Sequence, residues 1–407
     1  MKRRLLPLLA FLPFLAHAGG FQVNLQGTKQ TGMGHLGTSF YLGASSAYFN
    51  PAMMGLGEKK FNLEVGASGI IGTVAFQDQQ TGLTETTDNP VGTPAYLYAT
   101  YEITEKITAG LAIYTPFGNS VNWGDDWSGQ NLIQEITLAA VYIQPTVSYQ
   151  IDEKLSVGGG LTYVLGGVDI NRAVPAPIGN DNSVNLSTQF GEATGFGFNA
   201  GIHYQATEKL SVGFSYRSQV DIELNGGSAN FEVADALESS FPDQEFSSEL
   251  PLPSTTTIGF AYQVNEKLLV SVEASYVDWD AYESLDFDFS NNTASLEDSK
   301  NPRNYESQII YRIGAQYMVS DKLHVRGGVY YDPSPIQDDF FNPETPNTDN
   351  LGLTTGLTYN VSDKFAVDAS FLYIYGFERE SQYEPENFGG KYKARSYIPG
   401  IGLNYKF

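Results

Sequence analysis

Arginine is well suited to hold a carboxylate, because its planar guanidinium offers paired N–H donors and keeps its charge when buried. In this 407-residue chain, Arg217 and Arg312 stand on the polar side of alternating apolar and polar runs. Each lies about eight to ten residues from a short polar turn, and tilted strands advance on the order of 2.4 Å per residue, so both would sit near mid-depth of a sheet wall. Arg326 falls lower and Arg172 near the far end. By parity Asp221, Glu223, Glu273 and Asp368 share the polar side, so two readings stand: recognition of a bound carboxylate, or pairing with these acids.

Catalytic chemistry finds little support. Besides His17, the histidines are His35, His203 and His324, and none sits in a metal-type spacing or beside a nucleophile motif. No enzyme, metal or cofactor is expected. Gly158-Gly159-Gly160 is followed by neither a helix pattern nor a lysine, so it is no phosphate loop. It reads instead as a place where a wall lets another segment approach closely.

The elements that must position these groups are strands. Lys2, Arg3 and Arg4 precede the apolar run Leu5 to Leu15 and then Ala16-His17-Ala18, the pattern of a signal peptide over residues 1–18. Removing it takes three of the 23 basic residues and leaves 20 against 46 acidic ones, a formal charge of −26 that repels nucleic acid. With no cysteine, the chain is neither a lipoprotein nor a disulfide scaffold. No later stretch holds eighteen apolar residues, so a membrane would be crossed only by a closed β-barrel.

Period-2 alternation supports the barrel. From Lys209, residues Leu210, Val212, Phe214, Tyr216, Val220, Ile222 and Leu224 share a face; from Lys364, so do Phe365, Val367, Ala369, Phe371, Tyr373 and Tyr375. Long strands with aromatics near the ends of the apolar face suit a lipid-facing wall. Six times a tight polar step ends in lysine before a new alternation: at Lys106, Lys154, Lys209, Lys267, Lys322 and Lys364. Six hairpins supply strands 2 to 13. One strand before (about Lys59 to Gln77) and one after (about Lys391 to Phe407) make the expected fold all-β, a 14-stranded antiparallel transmembrane barrel over 59–407. Val141 and Ile143 are expected to make the inner face of the fourth strand partly apolar, which disfavours a general aqueous porin. The terminal Phe407, after alternating Ile401, Leu403 and Tyr405, looks like the signal read by outer-membrane assembly machinery.

Residues 19–58 are rich in glycine and small residues and too poor in bulky apolar groups to form a core of their own, so they read as a plug inside the tube. Asn50-Pro51-Ala52 would make its closing turn, since Pro51 removes a donor and suits neither a central strand nor a helix interior.

Several stretches together resemble the FadL family of outer-membrane long-chain fatty acid transporters and their aromatic-hydrocarbon relatives: Gly20-Phe21-Gln22, Phe49-Asn50-Pro51-Ala52, Tyr114-Thr115-Pro116-Phe117-Gly118, Asp126-Trp127-Ser128-Gly129, Leu250-Pro251-Leu252-Pro253, Asp278-Trp279 and Asp332-Pro333-Ser334-Pro335. Met53 and Gln130 depart from the family's usual residues. The resemblance implies a monomer in the outer membrane of a Gram-negative bacterium, surrounded by its lipid and lipopolysaccharide. It implies uptake of long-chain fatty acids, or alternatively of toluene- or xylene-type hydrocarbons. On that model a ligand lands on outer loops at about Ala173 to Leu186 and Gly226 to Pro253 and moves to an inner site. It leaves sideways where the third strand kinks at Pro116, Phe117 and Gly118. Phe21 and Gln22, as the mobile plug terminus, and Arg217 and Arg312 are the implied ligand-binding residues.

Overall fold

The computed structural model describes residues 20–57, 60–175 and 182–407. The expected signal segment, the hand-over at residues 58 and 59, and residues 176–181 of the expected outer loop lie outside them.

Sixteen strands close into one ring: β1 (Phe61–Ser68), β2 (Ala95–Thr104), β3 (Ile107–Asn122), β4 (Glu135–Gln150), β5 (Leu155–Ala173), β6 (Ser183–Ser187), β7 (Ala193–Gln205), β8 (Leu210–Arg217), β9 (Val220–Glu232), β10 (Thr255–Asn265), β11 (Leu268–Val277), β12 (Gln308–Ser320), β13 (Leu323–Asp332), β14 (Asn350–Asn360), β15 (Phe365–Gly376) and β16 (Phe388–Lys406). All pairings are antiparallel, and β16 pairs with β1 to close the wall. Five further strands (Ile71–Asp78, Thr84–Thr86, Gln244–Leu252, Asp288–Phe289 and Arg379–Tyr383) lie outside the ring. The expected count of fourteen is therefore corrected to sixteen.

The two additional strands come from stretches assigned to loops or to a neighbouring strand. β5 and β7 meet directly from Leu155↔Tyr204 to Gly166↔Ala193. Beyond Gly166 the ring passes from β5 through β6 and β9, and β9 returns to β7 at Glu223↔Thr194. The alternation that begins at Lys209 runs through β8 and β9 in sequence, but the chain breaks step at Ser218 and Gln219. Across that break the apolar face inverts: Phe214 is exposed outward, whereas Val220, Ile222 and Leu224 are buried. Asp221 and Glu223 consequently face solvent, not the lumen. The expected first strand is likewise split, β1 ending at Ser68 and a separate strand starting at Ile71.

Each of the six lysine turns closes a hairpin, and the physical device is common to all. A side-chain oxygen near the start of the turn accepts the backbone N–H three residues on: Thr104 from Ile107 (3.1 Å), Asp152 from Leu155 (2.9 Å), Thr207 from Leu210 (3.0 Å), Asn265 from Leu268 (3.1 Å), Ser320 from Leu323 (3.2 Å) and Ser362 from Phe365 (3.2 Å). Just before these turns the outer wall carries exposed Tyr101, Tyr149, Tyr204, Tyr262, Tyr317 and Tyr359, an aromatic belt at one interface. No helix among the described residues is long and apolar enough to cross a membrane.

Inside the ring lies the N-terminal segment, residues 20–57, with helices α1 (Thr28–Thr31) and α2 (Ser46–Phe49) and a 3-10 turn, Pro51–Leu56. Almost all of residues 20–54 are buried. A Cβ on Gly158 would lie 2.5 Å from the Pro51 carbonyl carbon, and one on Gly201 would lie 2.8 Å from Pro51 Cδ, so the wall must be bare at these two places. Of the triple-glycine run, Gly158 thus serves close approach of the segment, while Gly159 and Gly160 face only neighbouring wall strands.

Candidate functional site

β3 is a continuous strand with a fault in it. Its pairing with β4 slips between Tyr114 and Phe117, and its ladder to β2 stops at Leu97↔Ile113. From Phe117 to Asn122 it therefore pairs with β4 on one side only, in the place where Pro116 cannot donate. The start of the N-terminal segment fills the vacancy from inside. Val23 N–H donates to Pro116 O (2.7 Å), Gly118 N–H donates to Phe21 O (3.0 Å), and Gln26 Nε2 reaches Thr115 O (3.2 Å). Gln22 and Phe117 form an isolated antiparallel bridge. Phe21 is 2 % exposed, its ring set edge-on against Trp279 (5.0 Å between centroids) and Tyr282 (5.5 Å), with Phe117 at 6.0 Å.

Behind this terminus lies a polar cavity of about 50 Å³, and Arg217, Arg312 and Gln22 all line it, with Asn24, His35 and Glu273. Arg217 is well satisfied. Its guanidinium donates to the Tyr114 hydroxyl, to Gln144 Oε1 (2.8 Å) and to Tyr48 O (3.1 Å), and it stacks 4.4 Å from the Tyr48 ring. Arg312 donates to the Ser275 hydroxyl, while its buried Nε has no partner. Tyr142, Gln144, Thr146 and Ser148 are the inward residues of β4; the expected inner face of Val141 and Ile143 is corrected, because Val141 packs with Ala139 and Ile113 in a separate cluster.

Glu273, expected as a competing partner for the arginines, accepts from the segment instead: Gly37 N–H (2.9 Å), Thr38 N–H (2.6 Å) and the Thr38 hydroxyl (3.0 Å). Asn50 ties the other end. Its Oδ1 accepts Ala52 N–H (3.1 Å), and its Nδ2 donates to Thr38 O (2.7 Å) and to Ile202 O of the wall (3.0 Å). Pro51 opens the 3-10 turn, where a missing donor costs nothing. His35 sits between these anchors in a left-handed conformation (φ 63°), its ring 5.0 Å from Tyr330 and both ring nitrogens unpartnered. Burial, then the nearby positive charge of Arg312, push its pKa down to about 3, so the ring is neutral.

A family model described as outer membrane protein transport protein (OMPP1/FadL/TodX) matches residues 9–407. The chain belongs to this family. Among relatives, it is 27 % identical to the 47 kDa outer membrane protein of Pasteurella multocida over 98 % of this chain and 96 % of that one. It is 21 % identical to the long-chain fatty acid transport protein of Escherichia coli K12, over 75 % of each. In fold it is similar to a Pseudomonas aeruginosa FadL homologue (TM-score 0.82, 18 % identity, 95 % of this chain and 100 % of that one) and to the Pseudomonas putida toluene transporter TodX (TM-score 0.76, 17 % identity, 94 % and 98 %).

As a member of the FadL/TodX family the protein is an outer-membrane transporter of hydrophobic compounds in a Gram-negative bacterium, and not an enzyme. In the structure Arg217, Arg312 and Gln22 line one cavity, and Phe21 lies beside the fault in β3. Parity marked Glu273 as inward but not its contacts with Gly37 and Thr38, and composition and spacing did not mark Tyr48 and Gln144, which hold Arg217, or Trp279, which packs on Phe21. Only the pair Asp278-Trp279, already present among the resembling stretches, signalled the last.

Proposed function

We propose that the protein takes up long-chain fatty acids. Residues 20–57 serve as the plug, and Asn50, Pro51 and Ala52 close it onto the wall. Pro116, Phe117 and Gly118 form a lateral gate that the plug's own terminus seals. The reading rests on one observation above the rest: two buried arginines face a single cavity, and Arg312 Nε is left without an acceptor. A buried donor without a partner is costly, and a ligand carboxylate is the acceptor that suits it. Release of Phe21 and Gln22 from β3 would free Pro116 O and Gly118 N–H and enlarge the cavity toward the unpaired edge of the strand. An apolar chain then leaves into lipid without crossing water.

A second reading has its own support. The cage of Phe21, Phe117, Trp279 and Tyr282 suits an aromatic hydrocarbon, which needs no charge partner. Calorimetric titration of the refolded, delipidated protein with oleate, oleyl alcohol and toluene separates the two. Arg312→Gln, alone and with Arg217→Ala, should weaken oleate by on the order of tenfold or more, the scale of a lost charged hydrogen bond, and leave the alcohol nearly unchanged. Equal weakening of both would refute the carboxylate role; binding of toluene alone would favour the hydrocarbon reading.

A further inference from the structure

A second cavity, of about 370 Å³, opens beneath the N-terminal segment at the end of the barrel that carries the short turns. That end faces the periplasm in barrels of this kind. Its volume lies within the range of small-molecule sites, about 300–1,000 Å³. Two of its features are complementary. The underside of the segment offers Tyr41, Leu42 and Leu56, all half-buried although apolar. The wall opposite offers Lys364, Lys406, His324 and Arg326, and no carboxylate side chain lines the cavity among the described residues.

The nearest acids are already engaged. Glu64 accepts from the Ser45 hydroxyl (3.1 Å) and lies 3.6 Å from Lys29 Nζ. Asp368 accepts from Thr358 and Asn404 and lies 3.8 Å from Lys29. Arg326 is held by Gln316 (2.7 Å) and Thr358 (2.7 Å). Lys364 and Lys406 differ: both are exposed, and they stand directly across from one another, Lys406 N–H donating to Lys364 O at 2.9 Å. By strand parity both side chains point the same way as Asp368 and Asn404, inward. Like charges directly opposite in a sheet destabilise it, and the repulsion is relieved when an anion is shared between them. In a chain of net charge −23, a mouth whose charged lining side chains are all basic favours anions by position.

We infer that this vestibule is a second binding site, for a carboxylate-headed amphiphile on the periplasmic side, with the head between Lys364 and Lys406 and the chain against Leu42 and Leu56. The site is separate from the arginine cavity and goes beyond the uptake reading, because it would hold such a ligand whichever route brought it.

The test uses the full-length refolded protein in nonionic detergent and a photoreactive dodecanoate with a mid-chain diazirine, adducts being mapped by peptide mass spectrometry. Adducts are expected on Tyr41, Leu42 or Leu56. In the Lys364→Gln, Lys406→Gln double variant their half-saturating concentration should rise on the order of tenfold, the scale of two partly screened charge contacts, and in the unaltered protein added salt should raise it too. The matching dodecanol probe should leave these residues unlabelled. Heat-modifiable migration on gels confirms that the variant barrel is intact. Equal labelling by acid and alcohol, no change in the variant, or no adducts at these residues would each overturn the site. Adducts around Tyr48 report the arginine cavity independently, so failure of one site leaves the other readable.

Discussion

Replacing Phe21 by alanine should release the N-terminus from β3 while the barrel stays folded. The terminus is docked by two backbone hydrogen bonds, Val23 to Pro116 and Phe21 to Gly118, worth about 1 kcal/mol each net. The buried Phe21 ring adds about 3–5 kcal/mol, the usual loss for Phe to Ala in a packed site. Ordering the four residues Gly20 to Val23 opposes these by about 4–8 kcal/mol. Docking is thus close to balanced with the ring and clearly unfavourable without it. Because the chain has no cysteine, Gln22→Cys gives a single thiol at the bridge, and little is lost with it since Gln22 Oε1 has no partner. Its alkylation rate reports the undocked fraction. Adding Phe21→Ala should shift the docking equilibrium about a hundredfold, as a loss of about 3 kcal/mol requires, and so carry the undocked fraction from about half to nearly all, which the assay reads as a rate about twice as fast and equal to that of a free thiol. An unchanged rate in an intact barrel would show that the ring is not the latch and would remove the basis for a gate at Pro116.

Two further outcomes follow from the anchors of the segment. Gly158→Ala places a Cβ against the Pro51 backbone and should lower stability by about 1–3 kcal/mol through overpacking, read as a lower unfolding temperature with earlier proteolysis of residues 20–57. His35 is neutral when docked, with its pKa at about 3 against 6.5 in the unfolded chain, so below pH 6.5 the unfolded state binds the extra proton. Stability should therefore be full above pH 6.5 and fall between pH 6.5 and about 3, by up to about 1.4 kcal/mol per pH unit. Denaturant titrations across that window should show the slope, and His35→Asn, which tolerates the left-handed backbone, should remove it.

Period-2 alternation with exposed tyrosines and six lysine turns was enough to establish a β-barrel, because each of these signals is local: a side chain's face follows from parity, and a turn closes on its own Thr, Asp, Asn or Ser oxygen. The inward reading of Arg217 and Arg312 rests on the same parity, whereas the single cavity they line is decided by the tertiary structure. Strand count was not local. Nothing in the alternation of Leu210 to Leu224 marks Ser218 and Gln219 as a place where the apolar face inverts, since either face of a strand can be apolar and only its surroundings decide which. Above the membrane those surroundings are protein, so Val220 and Ile222 turn inward, Asp221 and Glu223 turn out, and β6 and β9 join the ring. Tertiary structure alone also decided what seals the site. Glu273 meets Gly37 and Thr38 from 236 and 235 residues away, and Phe21 meets Trp279 across the lumen, contacts that no spacing in the sequence encodes.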